Sequence, residues 1–496
     1  MASPSSDQAY GTRINEPLSP EPTLLAWYHS FESDQQRHIT SKIGPILSLL
    51  RVQFHWELIR ALHYFWDPTL VAFSFGPHVL CPTIEEYTQL LRAPDCSEGV
   101  TIPDLKVGPA HMFQELLGVR QSEINKVLNV CGGEAVQFKT LVSWFASPSS
   151  YYEKRAIFIG PHESWKQNRV TAFVIATFAT VLFPIGALNI HFRVAELASQ
   201  FLSGRSYVPA LLAEQSRSLT FLKGRKRGNL KTNAALLVVW FVSHTKSFGA
   251  LLPRKQSSRD LVEAFNDRFK LPVKVDLHRW VETLQAVDPK ELLWVANWNH
   301  SSHVILKCKD FLAVPLIGIF GCTGYFPACV IRQFGAVQNI APRPSLDSVT
   351  LDLLKPDETI KSKLKSIQAL WDTRVLKQVI DVGEMEGRFG DHRGDMQFVT
   401  DLLHRSGQSE YRAPTNTQPA PQVLDPESQA QIAALRASHE LTYRAMERKA
   451  KTVGRKYEEL QKELRANRLR ARNAEKRVRE LETEITEGEP RRSRRE

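Results

Sequence analysis

Side chains able to do chemistry are few and scattered in this sequence. His300, His303 and Cys308 lie close together, with Cys322 and Cys329 beyond them. Imidazole and thiolate are the ligands zinc takes, but structural sites set them in tight pairs roughly two to four residues apart. The gap from Cys322 to Cys329 does not fit, so no metal site is expected. Asp391-His392-Arg393-Gly394-Asp395 places two carboxylates around a histidine. That is an acid–base pair in form, yet it sits in a polar, Gly-rich stretch with no Ser or Cys nucleophile elbow. It reads as a solvated loop. Gly318, Gly321 and Gly324 recur every third residue, which is neither GxGxxG nor a P-loop, and no lysine follows to hold a phosphate. They read as small residues for turns or close packing. The expectation is no catalytic, cofactor-binding or metal-binding residue.

Basic clusters are the other chemistry on offer. Lys223, Arg225, Lys226 and Arg227 form one cluster, the last three between Gly224 and Gly228, and Arg491, Arg492, Arg494 and Arg495 form another at the end. Such runs neutralise phosphates or serve as nuclear import signals. A stripe from Arg465 to Arg479 is interspersed with glutamates and reads as a solvated helix face. The formal charge is +11, with 64 Lys and Arg against 53 Asp and Glu. From Ala430 onward there are 19 basic and 12 acidic residues, so the first 429 residues carry only a small excess. The basic balance is a property of the tail.

The elements that must position these groups are mainly helical. Residues 64–94 form the clearest unit. Leu70–Phe75 is an apolar run, Gly76-Pro77 is a turn, and Val79-Leu80-Cys81 returns as a second strand. Thr83 then caps a helix, with Glu86 three residues on at capping-box spacing. Ile84, Tyr87, Leu90 and Leu91 share one face, and Pro94 ends the helix. Helical patterns precede this unit from Leu24 to Leu50 and from Phe54 to Phe65. Val170–Ile190 has no charged residue and reaches spanning length. Thr171, Thr177, Thr180 and the break at Pro184-Ile185-Gly186 make it a buried core helix over Asn168–Phe183, with no membrane span. Pro209 suits a first helical turn, with the helix running to Phe221. Asn229–His244 is another apolar helix, Trp294–Leu306 is extended, and Ile360–Ile380 is amphipathic. Tyr152–Ile159 fits a short helix or a strand.

Six cysteines without framework spacing and the lack of an N-terminal apolar segment point to a reducing, intracellular setting. Gly407–Gln429, with Pro414, Pro419, Pro421 and Pro426, is a linker by composition. Beyond it, steps of three and four residues pick out Tyr443, Met446, Ala450, Val453, Tyr457, Leu460, Leu464, Asn467, Ala471, Ala474, Val478, Leu481 and Ile485. That is a heptad seam, about 65 Å long as a helix. Asn467 is its polar member and would fix register or strand number. The expectation is a coiled coil that self-associates or takes a heterotypic helical partner.

Three ordered blocks carry a family resemblance. FWDPTLVAFSFGPHVLCPTIEEYTQLLRAP resembles the opening signature of a plant family with an uncharacterised domain, in which an F-x-F hairpin precedes a P-T-x-E-E-Y helix. VLFPIGALNIHF with VPALLAEQSRSL, and FLAVPLIGIFGCTGYFPACVIRQF, are similar to its later blocks. The family is similar to the plant mobile domain of transposon-associated genes. The likeness covers roughly residues 40–400. It implies a mostly helical domain, a plant source, a history with mobile elements and, commonly, a C-terminal coiled coil. It carries over no catalytic residue. Met396–Arg405 departs from the pattern by lacking tryptophan.

The resulting layout is a disordered leader 1–23, a helical domain 24–405 with a minor β-hairpin, a disordered linker 406–429, a coiled coil 430–487 and a basic disordered tail 488–496. The function expected is that of a non-enzymatic interaction protein in an intracellular setting, with the nucleus as the finer location its basic runs allow. The alternatives are a nucleic-acid-binding protein acting on DNA or chromatin, with Arg225, Lys226, Arg227 and the terminal arginines as contacts, and a degenerate transposon-derived enzyme.

Overall fold

Helix Ile84–Leu91 packs against several other helices and forms for the reason its sequence states. The Thr83 hydroxyl accepts the Glu86 N–H at 3.2 Å, and the Glu86 carboxylate accepts the Thr83 N–H at 3.2 Å. Both orphan donors of the first turn are thereby satisfied. Arg92 ends the helix in the left-handed region, at φ 48°.

The structure is a computed structural model. It describes residues 12–378 except 17–18, 76–77, 187, 246–259, 270–274, 288–291, 294, 302, 310–312, 327–348 and 355. The chain divides into a unit Met1–Ser409 and a unit Glu410–Glu496, and every described residue belongs to the first. The linker, the heptad seam, the terminal arginines, Cys329 and the Asp391–Asp395 stretch lie outside the described residues.

In chain order, strand β1 (Arg13–Asn15) precedes helices α1 (Glu21–His29), α2 (Ser33–Ser48) and α3 (Trp56–Tyr64). Strands β2 (Trp66–Asp67), β3 (Ala72–Phe75) and β4 (His78–Leu80) form an antiparallel sheet with Trp66 opposite Phe73 and Phe73 opposite Leu80. The expected hairpin is present, with one further strand. Ile84–Leu91 is α4. Then come α5 (Pro109–Leu117), α6 (Gln121–Val130), β5 (Ala135–Gln137), α7 (Phe138–Phe145), α8 (Ser150–Glu153) and α9 (His162–Thr177). Residues 152–159 are neither one helix nor one strand: Tyr152 and Glu153 close α8, Arg155–Ile157 is a single 3-10 turn, and Phe158 makes an antiparallel bridge with Val119.

Helix α9 starts at His162, six residues before the expected start at Asn168. Its first turns are polar and partly exposed, so they lacked the apolar signal that marks the rest. It continues as a π-turn over Phe178–Leu182, which ends before Pro184. Arg169 stands just before the uncharged run. Its guanidinium donates to the carbonyls of Phe145 at 2.7 Å and Ala146 at 2.7 Å, at the negative end of α7. Helices α1, α2, α5, α7 and α10 (Phe192–Leu202) surround α9. Among the described residues no helix is long and apolar enough to cross a membrane.

Strand β6 (Asn189–His191) precedes α10 and pairs with β5. It is followed by α11 (Val208–Leu222), β7 (Arg227–Asn229) and α12 (Ala234–Ser243). Two expectations change here. The helix expected from Asn229 begins at Ala234, where Asn233 caps it by accepting the Leu236 N–H at 2.6 Å. Asn229 belongs instead to β7, which pairs in parallel with β1. Part of the leader expected to be disordered is thus a strand: its backbone N–H and C=O groups find partners in the Arg227–Asn229 segment.

The remaining elements are α13 (Leu261–Arg268), α14 (Leu277–Gln285), β8 (His303–Cys308), β9 (Val314–Ile317), β10 (Gly321–Tyr325), β11 (Leu351–Asp352), α15 (Glu358–Trp371) and β12 (Arg374–Gln378). Over its described residues, 360–378, the 360–380 segment is therefore a helix followed by a strand. The fold is mainly α, with several small sheets where one hairpin was expected.

Hairpin β9–β10 packs on α11. A Cβ at Gly318 would collide with the Glu214 carboxylate and the Gly321 carbonyl, and one at Gly321 with the Leu351 carbonyl and Arg217. Close packing is what these glycines permit. Replacing Gly318 with alanine is expected to destabilise the protein by about 1–3 kcal/mol, read as a lower urea midpoint at unchanged slope.

Candidate functional site

The Glu-Glu-Tyr run of α4 carries the densest group of buried polar side chains. Glu86 has no exposed surface. One carboxylate oxygen accepts from Trp240 Nε1 at 2.8 Å as well as from the Thr83 N–H, and the other lies 3.1 Å from His244 Nε2. His244 Nδ1 faces the Leu293 carbonyl at 2.6 Å and so donates to it. Glu85 accepts the Ile305 N–H at 2.7 Å, which ties α4 to β8. The Tyr87 hydroxyl donates to Gln215 of α11 at 2.8 Å. Gln89 donates to Asn299 at 3.0 Å and accepts the His300 N–H at 3.0 Å. Four polar residues on one short helix thus reach four distant segments.

Burial pushes the Glu85 carboxyl up to about 7, with the neighbouring Glu86 adding to the rise and the Ile305 N–H opposing it. Its second oxygen is buried without a hydrogen-bond partner among the described residues. Burial also raises Glu196 to about 7, where its carboxyl accepts the Asp104 N–H at 2.6 Å. Glu214 is raised by burial, against the opposing pull of Arg217. Values near 7 suit proton transfer. Yet each of these carboxyls holds a backbone N–H of another segment: Ile305 for Glu85, Asp104 for Glu196 and Phe320 for Glu214. What they do in this arrangement is join elements.

The zinc-type residues are not brought together. His303 and Cys308 are the two ends of β8, Cys322 lies in β10 of a different sheet, and His300 Nδ1 faces the Trp298 carbonyl at 3.1 Å. Among the described residues no three His, Cys, Asp or Glu side chains gather as a metal-binding group.

The basic cluster at 223–227 is different, because the fold adds to it. Gly224, at φ +78°, turns the chain after α11. The Thr12 hydroxyl bonds the Leu222 carbonyl at 2.8 Å and the Arg225 carbonyl at 2.6 Å, and the Arg13 N–H donates to the Lys226 carbonyl at 2.9 Å. Arg13 lies opposite Arg227. Arg13, Lys223, Arg225, Lys226 and Arg227 are all exposed. None of the five has a carboxylate within salt-bridge distance among the described residues. Two aromatic residues stand among them. The Arg225 guanidinium lies 3.7 Å over the ring of Phe221, which is 57 % exposed. Lys223 Nζ donates to the Tyr64 carbonyl at 2.7 Å and lies 5.9 Å from the Tyr64 ring, which is 41 % exposed. Arg225, Lys226 and Arg227 were legible as a cluster. Arg13 and Tyr64 were not, because they join it only through the fold. Phe221 stood beside the cluster in sequence and read as part of the α11 stripe.

Beyond β7, the π-turn, Pro184–Gly186 and Asn229 border a cleft whose other polar lining residues are Thr180, Asn15 and Glu16. The Thr180 hydroxyl is already bonded to the Ala176 carbonyl. This cleft adds no cation to the surface.

A family model for a domain of unknown function, DUF7745, matches residues 24–391. The chain belongs to this family. No curated protein and no solved structure matches it. The DUF7745 domain therefore contains the α4 network and the 223–227 cluster, while Arg13 and its strand come from outside the matched residues.

The DUF7745 interior has a pH signature. Unfolded, Glu85 loses its proton near 4.5; folded, it holds it to about 7. The folded state binds more protons across that window, so stability falls as pH rises through it. Glu85→Gln keeps an acceptor for Ile305 and removes the titration. Relative to wild type, the variant should gain stability as pH rises from about 5 to 8, by up to roughly 3 kcal/mol in urea unfolding. His63, lowered to about 4 by burial, acts in the opposite sense. Its contribution is complete above about 6.5 and fades as pH falls toward 4.

Proposed function

We propose that this chain is a non-enzymatic interaction protein that binds nucleic acid through its helical body and joins copies of itself through its tail. The observation that carries the first half is the surface of Arg13, Lys223, Arg225, Lys226 and Arg227, exposed without carboxylate partners among the described residues. Backbone bonds hold that strap in one shape, so meeting a polyanion costs it little backbone freedom. Neutralising phosphates releases counterions, and that makes affinity fall steeply with salt. The support for the second half is the heptad seam from Tyr443 to Ile485. The likeness of three sequence blocks to a plant family that is itself similar to the plant mobile domain supports an ancestry among mobile elements.

The test of the first half is a salt titration of binding to a labelled nucleic acid. Affinity should decline linearly on logarithmic axes, and Lys226→Ala with Arg227→Ala should lower the slope by roughly 1 each. A salt-independent signal, or a double variant indistinguishable from wild type, counts against this surface. For the second half, sedimentation of the full chain should show an oligomer that Leu460→Glu with Leu464→Glu converts to monomer. An oligomer insensitive to both changes places the joint elsewhere.

A further inference from the structure

We propose that the strand bound at this surface is single-stranded, its bases stacking on the Phe221–Arg225 and Tyr64–Lys223 pairs; this rests on the nucleic-acid reading above. The reason is the rings. A surface built for duplex backbone contact needs cations alone, because the faces of paired bases are already covered by their neighbours in the stack. Exposed aromatic rings among cations offer a stacking platform to bases whose faces are free.

The arrangement here fits that use. Arg225 lies over the Phe221 ring and also donates from Nε to the Phe221 carbonyl at 3.0 Å. The guanidinium is thus fixed over the ring, and its outer face is a flat cationic shelf of the kind bases stack on. Lys223 is anchored to the Tyr64 carbonyl, so a second ring and a second cation sit together two residues along the chain. Lys226, Arg227 and Arg13 continue the positive charge along the β1–β7 pair, the track a flexible phosphate chain would follow.

The shape argues the same way. Reading a duplex in its major groove takes a helix or a two-stranded ribbon that projects into it. Strands β1 and β7 have three residues each. Helix α11 ends at this surface with its C-terminus, the negative end of its dipole. Phosphates must therefore be held by the side chains of the strap.

The experiment is fluorescence anisotropy on the full chain at fixed low salt. The probes are labelled 16-residue oligo-dT and oligo-U, and a 16-base-pair duplex. The single strands should bind at least about tenfold more tightly than the duplex. Phe221→Ala and Tyr64→Ala should each weaken single-strand binding by about tenfold, and Phe221→Trp should preserve it. Lys226→Ala should weaken both forms alike. Phe221 is exposed, so its variants should melt with wild-type Tm and keep duplex affinity, which separates lost stacking from lost folding. A preference between oligo-dT and oligo-U, or equal binding, supports the proposal in either case and says whether the 2′-hydroxyl is read. Duplex binding as tight as single-strand binding, with Phe221→Ala without effect, overturns the stacking proposal and leaves the nucleic-acid reading standing. No binding of any probe at low salt overturns both.

Discussion

The joint between α4 and α12 depends on keeping the carboxyl group of Glu86 partnered. A carboxylate without exposed surface is tolerated only when hydrogen bonds and an opposite charge replace the water it has lost. Here its partners are the Thr83 N–H and the indole N–H of Trp240, which donate to it, and the His244 ring, 3.1 Å away. Two of those partners are in or next to α12, while the third starts α4. The group therefore fixes two helices to one another, and Trp240 in turn packs on Phe73 of β3, their rings 5.9 Å apart. Removing either side would strand polar atoms in the core, which costs more than the bond itself contributes.

The same logic recurs at the far side of α11. Glu214 accepts from the Phe320 N–H at 2.8 Å, and Arg193 donates to the neighbouring Ile319 carbonyl at 3.0 Å. The tight β9–β10 turn is thus gripped by one acid and one base from two helices. Gly318 and Gly321 let its backbone come that close. The outer face of this hairpin then supports a small second core of Ile317, Cys322, Leu351, Leu353, Leu364 and Ile367, under α15. Polar clamps set the positions, and apolar contact fills the space between them.

How much of this could be read from the residues follows from the range of each interaction. The capping box at Thr83 and Glu86 spans three residues, so it was legible, as were the hairpin before it and the proline in the first turn of α11. The partners of the buried polar groups were not legible. Glu86 meets Trp240 across 154 residues and Glu85 meets Ile305 across 220. A sequence shows a carboxylate but not what neutralises it. Strands β1 and β7 were missed because three residues are too few to show a period of two. With β7 unseen, Asn229 was assigned to the apolar pattern that follows it. The surface was half legible for the same reason: its consecutive cations stand together in the chain, whereas Arg13 and Tyr64 arrive through the fold. The heptads are periodic and so legible without any fold, but their seam lies outside the described residues.

The two proposed activities reinforce one another physically. One strap with five cations and two rings makes a modest, salt-sensitive site. A tail that joins two copies turns the second strap's binding into an intramolecular step, whose effective concentration depends on the connecting length. Where both straps can reach the same polymer, overall affinity can exceed that of either site by orders of magnitude without a new contact. Weak sites then become an advantage. Under the proposal, each strap would release singly while the assembly stays bound, which would hold a long polymer firmly and still permit movement along it.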